Sequence, residues 1–171
     1  GEYYITDLIG IMNEEGKKVD GYKIQDFSEV GGINDRVQLA EATKLLQKRV
    51  NKNWLLNGVT IVDTDNTYIG TDVVIGKDTI IEPGCIIKGH TTIGAHCHIG
   101  PYCEFTDVDI KDNVEIKFSV LSDSVVESGT DIGPYARLRT NCHIRENVHI
   151  GNFVEMKKAD FGKGSKSAHL T

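Results

Sequence analysis

From Ile69 to Met156 a bulky apolar residue returns at nearly constant spacing. The series runs Ile69, Ile75, Ile81, Ile87, Ile93, Ile99, Phe105, Ile110, Ile116, Leu121, Val126, Ile132, Leu138, Ile144, Ile150 and Met156. Twelve of its 15 intervals are six residues and three are five. A period of six matches neither the helical repeat of about 3.6 residues nor the alternation of a hairpin meander. Ile-Gly recurs at 69, 75, 93, 99, 132 and 150, so many anchors lead straight into a turn. Such a repeat closes a triangular coil from three hexads, each with one short strand and one turn, and stacks its anchors inside a prism. The anchors predict about five coils, a column ~24 Å long at ~4.8 Å per stacked strand. The chain's 18 glycines against 3 prolines fit many regular turns in a mainly β protein.

The first 58 residues have a different, α/β character. Thr6 and Asp7 offer capping oxygens ahead of LIGIMNEE, and Gly16 stands where a helix C′ residue belongs. VDGYKIQDF reads as a strand or hairpin piece, and SEVGGIND as a loop. Asp35 with Gln38 resembles a capping box, after which Val37, Ala40, Leu45, Leu46, Val50, Trp54 and Leu55 follow helical spacing up to Gly58. This part lacks the glycine-rich phosphate loop and strand set of a complete nucleotide-binding domain. Gly1 followed by the strand-like EYYIT predicts a chain that begins within a domain. The expected organisation is a domain remnant over 1–36, a helical linker over 37–57 and the repeat domain over 58–171.

The net charge of -6 argues against general nucleic-acid binding. It divides into -9 over residues 1–130 and +3 over 131–171, which favours an anionic small ligand near the C-terminal end. No apolar run approaches the ~18 residues of a membrane span, and a cytoplasmic, non-membrane protein is expected. Cys85, Cys97, Cys103 and Cys142 each lie two residues before an anchor, in a slot elsewhere held by Thr67, Val73, Thr79, Thr91, Val108, Ser119, Thr130 and Ala136. Positions i and i−2 of an extended segment face the same side, so these are packed, reduced thiols rather than a metal set. His143 and His149 precede anchors and should project from adjacent faces of one coil, which forbids chelation within a subunit; zinc shared between subunits stays open. His90, His96 and His98 read as surface residues. His169 lies beyond the last clear anchor in the basic KKADFGKGSKSAHLT, where a solvated surface histidine is the plain alternative to a functional one.

EYYITD, GGINDRVQLAEA, GPYARLR and GNFVEMKKADFGKGSKSAHLT, with the hexapeptide array between them, resemble one family over essentially the whole chain. It is the bacterial bifunctional N-acetylglucosamine-1-phosphate uridylyltransferase / glucosamine-1-phosphate N-acetyltransferase family. The resemblance implies a left-handed parallel β-helix preceded by an α/β remnant of a nucleotidyltransferase domain and a long linker helix. It implies two reactions of cell-wall precursor synthesis. Acetyl-CoA acetylates glucosamine 1-phosphate on the β-helix, and UTP with magnesium then couples the N-acetylglucosamine 1-phosphate to a uridylyl group. His169 matches the general base, which removes a proton from the amine; an imidazole can accept one near neutral pH. Arg139 and Lys157 match the residues that grip the sugar phosphate, a guanidinium fork and an ammonium on a dianion. Glu155, in VEMKK, is a candidate orienter of the imidazole. Tyr4 and Thr6 match residues lining the N-acetylglucosamine pocket, and Asn34 matches a magnesium ligand.

The resemblance further implies that the partner aspartate for magnesium, the nucleotide loop and the acetyl-CoA coils belong to parts of the family outside this stretch. The chain alone is therefore expected to catalyse neither reaction, and a homotrimer is expected from the family. Two other readings remain at this point: a different hexapeptide acyltransferase or sugar-phosphate nucleotidyltransferase, and a non-catalytic trimerising scaffold.

Overall fold

The computed structural model describes residues 4–171, and these divide into two units, Gly1–Asn34 and Asp35–Thr171. In the first unit, helix α1 spans Asp7–Glu14 and ends, as the spacing predicts, in a left-handed Gly16 (φ 67°). Its cap differs from expectation. Thr6 is helical and its side chain makes no capping bond, whereas the Asp7 carboxylate accepts the Tyr4 N–H at 3.1 Å. The strand expected over VDGYKIQDF is absent: residues 17–26 are irregular and lead into a 3₁₀ turn at Phe27–Glu29, capped by Asp26 onto the Ser28 N–H at 2.9 Å. An alternating segment becomes a strand only beside a partner edge, and no ladder among the described residues includes these residues. Of EYYIT, Tyr4–Thr6 form the turn into α1, and Gly1–Tyr3 lie outside the described residues.

The second unit opens with helix α2, Arg36–Leu56, its N-terminus capped by Asp35, whose carboxylate accepts the Gln38 N–H at 2.8 Å. The chain then winds a parallel β-solenoid with three faces. The first face stacks strands Thr60–Ile61, Ile80–Ile81, His98–Ile99, Glu115–Ile116, Asp131–Ile132, His149–Asn152 and Lys166–His169. The second stacks Tyr68–Ile69, Ile86–Lys88, Arg137–Arg139 and Glu155–Lys157, and the third Val74–Ile75, Thr92–Ile93, Cys142–Ile144 and Asp160–Phe161. Two longer strands, Glu104–Ile110 and Val120–Val126, bend across the edge between these two faces and lie in register on each other. They coincide with two of the five-residue intervals: one residue fewer leaves no room for a separate turn.

The structure lengthens the predicted array by one coil. Six full coils run from Ile61 to Phe161, and a further first-face strand adds Ser167 above Ile150. The first coil escapes the six-residue count because Ile69 follows Ile61 by eight residues, and the top of the array because Phe161 follows Met156 by five and the next inward residue is Ser167. Each anchor from Ile61 to Ile150 is buried, and the four cysteines are free and buried in the inward slot as expected. The hydroxyls that share this slot are satisfied locally. Thr79 Oγ1 donates to the Gly94 carbonyl at 2.8 Å, and Thr130 Oγ1 to that of Arg145 at 2.9 Å.

Helix α2 does not use the apolar stripe its spacing suggests. Val50 and Trp54 pack on the core, but Val37, Leu45, Leu46 and Leu55 are exposed, and the buried residues are Gln47 and Asn51. The helix lands on the loop at 63–67, whose carbonyls turn inward and need donors. Gln47 Nε2 reaches the Thr64, Asp65 and Thr67 carbonyls at 3.1, 3.1 and 2.8 Å, and Asn51 Nδ2 those of Thr64 and Thr67 at 2.9 and 3.0 Å. Lys44 Nζ adds bonds to the Asp65 carbonyl and the Tyr68 hydroxyl, both at 2.8 Å.

Candidate functional site

The upper coils bring four of the sequence-predicted residues onto adjoining surfaces. Strand Glu155–Lys157 lies in register on Arg137–Arg139, so Lys157 stacks directly over Arg139 and Glu155 over Arg137. Side chains at i and i+2 of a strand share a side, and Leu138 and Met156 between them turn inward, so all four polar residues project outward. Arg139 Nη1 donates to Glu155 Oε1 at 2.9 Å, a diagonal bond between coils. Two cations and a carboxylate thus share one outward patch, with the Arg137 guanidinium one rung below Glu155. Such a patch can hold a dianionic phosphate beside an ammonium group.

His169 ends the first-face strand Lys166–His169, paired with Asn152. Just beyond it, left-handed Leu170 (φ 54°) turns the edge toward the second face, and the Thr171 carbonyl accepts the Glu155 N–H at 2.9 Å. The histidine is exposed, as are Glu155 and Lys157, and Arg139 is half-buried. The Glu155 carboxylate has Arg139 as its bonding partner, and no hydrogen bond joins it to His169 among the described residues. Periodicity alone offered no sign of Asn152 or Thr171 as neighbours of this histidine, because both contacts depend on where the last edge falls.

The remaining predicted residues lie in the first unit. Tyr4 is exposed and Thr6 precedes α1, while Asn34 stands immediately before Asp35, whose carboxylate is engaged as the α2 cap. Magnesium takes several oxygen ligands, usually carboxylates and phosphates. Asn34 supplies one amide oxygen, and no group of three or more His, Cys, Asp or Glu able to hold a metal occurs among the described residues. These residues do not amount to a magnesium site. His143 and His149 occupy different faces, each bonded to a carboxylate of the coil below: Glu127 at 2.8 Å and Asp131 at 2.5 Å.

Compared with known proteins, residues 61–161 match the family model described as the GMPPB C-terminal domain. The chain belongs to the GMPPB C-terminal domain family. The matched stretch of this family runs from the first buried anchor, Ile61, to Phe161, so the family signature is the solenoid itself. Among curated relatives, the chain is 51% identical over all 171 residues to the bifunctional protein GlmU of Enterococcus faecalis, and 53% identical to that of Limosilactobacillus fermentum. It spans only 37% and 38% of the length of these relatives. Of solved structures, a mutant of AntD, an N-acyltransferase from Bacillus cereus in complex with dTDP and coenzyme A, shares the fold at a TM-score of 0.55 and 16% identity. That superposition covers 75% of this chain and 82% of AntD. No helix among the described residues is long and apolar enough to cross a membrane.

Proposed function

We propose that the chain serves as part of a bifunctional enzyme that acetylates glucosamine 1-phosphate with acetyl-CoA and then transfers a uridylyl group from UTP to N-acetylglucosamine 1-phosphate. The observation that carries this reading is the patch in which Lys157 stacks over Arg139 beside Glu155, one edge away from His169. Full-length similarity to GlmU proteins supports it. Residues 1–36 are assigned to the uridylyltransferase half, with Tyr4, Thr6 and Asn34 on its sugar-nucleotide side, residues 37–57 to the linker, and 58–171 to the acetyltransferase half.

In this reading Arg139 and Lys157 hold the phosphate, and His169 removes a proton from the ammonium group. The freed amine attacks the thioester carbonyl, the C–N bond forms, the C–S bond breaks, and the thiolate leaves. Glu155 supports the positive charge that develops on His169. Because these groups stand open on a single chain, the working form is a homotrimer in which neighbouring copies wall the site. Four unpaired thiols fit a reducing, cytoplasmic setting.

The test is acetyl transfer in an enzyme of the relatives' full length carrying this segment, with glucosamine 1-phosphate compared against other amines. His169→Ala should lower kcat by about 100-fold or more, the usual weight of a general base. Arg139→Ala and Lys157→Ala should chiefly raise the KM for the sugar phosphate. Near-normal turnover by His169→Ala removes the base assignment, and indifference to the amine returns the chain to the wider acyltransferase class. Sedimentation as a monomer removes the trimer.

A further inference from the structure

His169 is delivered to its place by a local departure from the solenoid's own pattern. On the first face, strands His98–Ile99, Glu115–Ile116 and Asp131–Ile132 stop at their anchors, and in two of these levels the next residues are Gly100–Pro101 and Gly133–Pro134. The two uppermost strands behave differently. His149–Asn152 runs two residues past Ile150, and Lys166–His169 two past Ser167, so the ladder extends to an Asn152–His169 pair.

Two sequence features permit this. The residue after Gly151 is asparagine, whereas proline would remove a backbone donor and restrict the residue before it. Gly151 itself is buried and lies under the Ala168 carbonyl, so close that an added Cβ would stand 1.7 Å from that oxygen and 2.7 Å from its carbon. Only a residue without a side chain admits this approach. Beyond it, the Leu170 N–H donates to the Asn152 carbonyl at 3.2 Å, and Thr171 Oγ1 donates to the His169 carbonyl at 3.2 Å. Gly162, in the same last coil, is unlike Gly151: its nearest contact would be the Ser165 hydroxyl at 3.5 Å.

We propose that Gly151 and Asn152 are positioning residues for His169: the glycine lets the last strand settle onto the one beneath, and the asparagine in place of proline lets pairing continue to residue 169. The proposal rests on the reading of His169 as the general base, yet its test does not depend on activity. Histidine ring signals and amide exchange are measured by NMR in the full chain and in Gly151→Ala, Asn152→Pro and, as a control, Gly162→Ala. The first two variants should move the ring signals of His169 and speed exchange of the Leu170 amide about tenfold or more, a local opening. His98 and His143 should keep their signals, and Gly162→Ala should change none of these.

Unchanged His169 and Leu170 in the folded variants, or an equal change in Gly162→Ala, overturns the proposal. Should both variants lose the fold, the unaltered chain decides: a Leu170 amide protected less than about tenfold over a free peptide means that the extended ladder does not hold His169. Full acetyl transfer by His169→Ala would remove the base reading while leaving the positioning result standing.

Discussion

At the scale of single residues, charge is managed between coils as well as along the chain. Asp109 receives Lys111 Nζ and Thr92 Oγ1, both at 2.6 Å, and Asp160 receives Arg145 through two bonds at 2.8 and 2.7 Å. Partial burial pushes the Asp109 carboxyl up, but the bonds from Lys111 and Thr92 outweigh it and hold the group below its ordinary range. Arg145 does the same for Asp160. A carboxyl depressed in the folded state contributes stability that is fully present above its unfolded value of about 3.9 and is lost as pH falls through the folded one. Melting temperature should therefore hold steady above about pH 5 and fall from about pH 4 downward. Asp109→Asn combined with Asp160→Asn should flatten that acid limb in a melting series at low salt, and an unchanged limb would show that these pairs carry no linkage. The bonds from Thr92 and Arg145 were not legible in the sequence, since these partners lie 17 and 15 residues from their carboxylates and meet them only through the coil register. The inward cysteine slot was legible, because it depends only on distance from an anchor.

At the scale of elements, the three edges of the prism are built from different residues. One edge turns through left-handed Gly89, Asp107, Asp123 and Asn141, and another through Asp78, His96, Asn113, Gly129 and Asn147, mostly types that tolerate positive φ. The edge between the first and second faces instead uses Tyr102, Phe118, Tyr135 and Phe153, at φ 52°, 44°, 63° and 57°. Their rings form a continuous stack with centroids 5.7, 5.5 and 5.4 Å apart, seated on Gly84, where a Cβ would meet the Tyr102 ring at 2.4 Å. Each ring contact is worth about 0.5–1.5 kcal/mol, against a strain of about 1–3 kcal/mol per left-handed bulky residue. Stacking and strain are thus of similar size. Phe118→Ala loses two ring contacts and keeps the strain, whereas Phe118→Gly loses the contacts and the strain together. Chemical denaturation should accordingly find the glycine variant more stable than the alanine variant, the reverse of the order in a helix. An alanine variant at least as stable as the glycine one would mean that the backbone there is not strained. The six-residue period identified the anchors and hence this fold, but it is silent about turn residues. The same limit applies to α2, where helical spacing located the element and misjudged its buried face, because the carbonyls its Gln47 and Asn51 amides had to satisfy belong to a loop more than ten residues away.

At the scale of the whole molecule, the solenoid is a one-dimensional stack in which each coil touches only its neighbours, so a perturbation should be felt according to where it enters. The lower end is closed by α2: Val50 and Trp54 pack on the core, and the Trp54 carbonyl accepts the Val59 N–H at 3.1 Å just before the first coil begins. Phe105, by contrast, is wholly buried in the middle of the stack. Removing its ring should cost about 3–5 kcal/mol and remove the support of coils on both sides. Half-buried Trp54 should cost less, about 2 kcal/mol, and only at one end. Hydrogen exchange distinguishes the two. In Trp54→Ala, the amides of Thr60, Val62 and Tyr68, which bond to the Thr79, Ile81 and Cys85 carbonyls, should exchange about 30-fold faster. Those of Glu104 and Val120, bonded to Ser119 and Ala136, should keep their protection. In Phe105→Ala both sets should lose protection together, with a lower melting temperature. Uniform loss in Trp54→Ala would instead make α2 and all six coils one cooperative unit. Local opening would leave the His169 end undisturbed by events at the helix, as the proposed site in the uppermost coils requires.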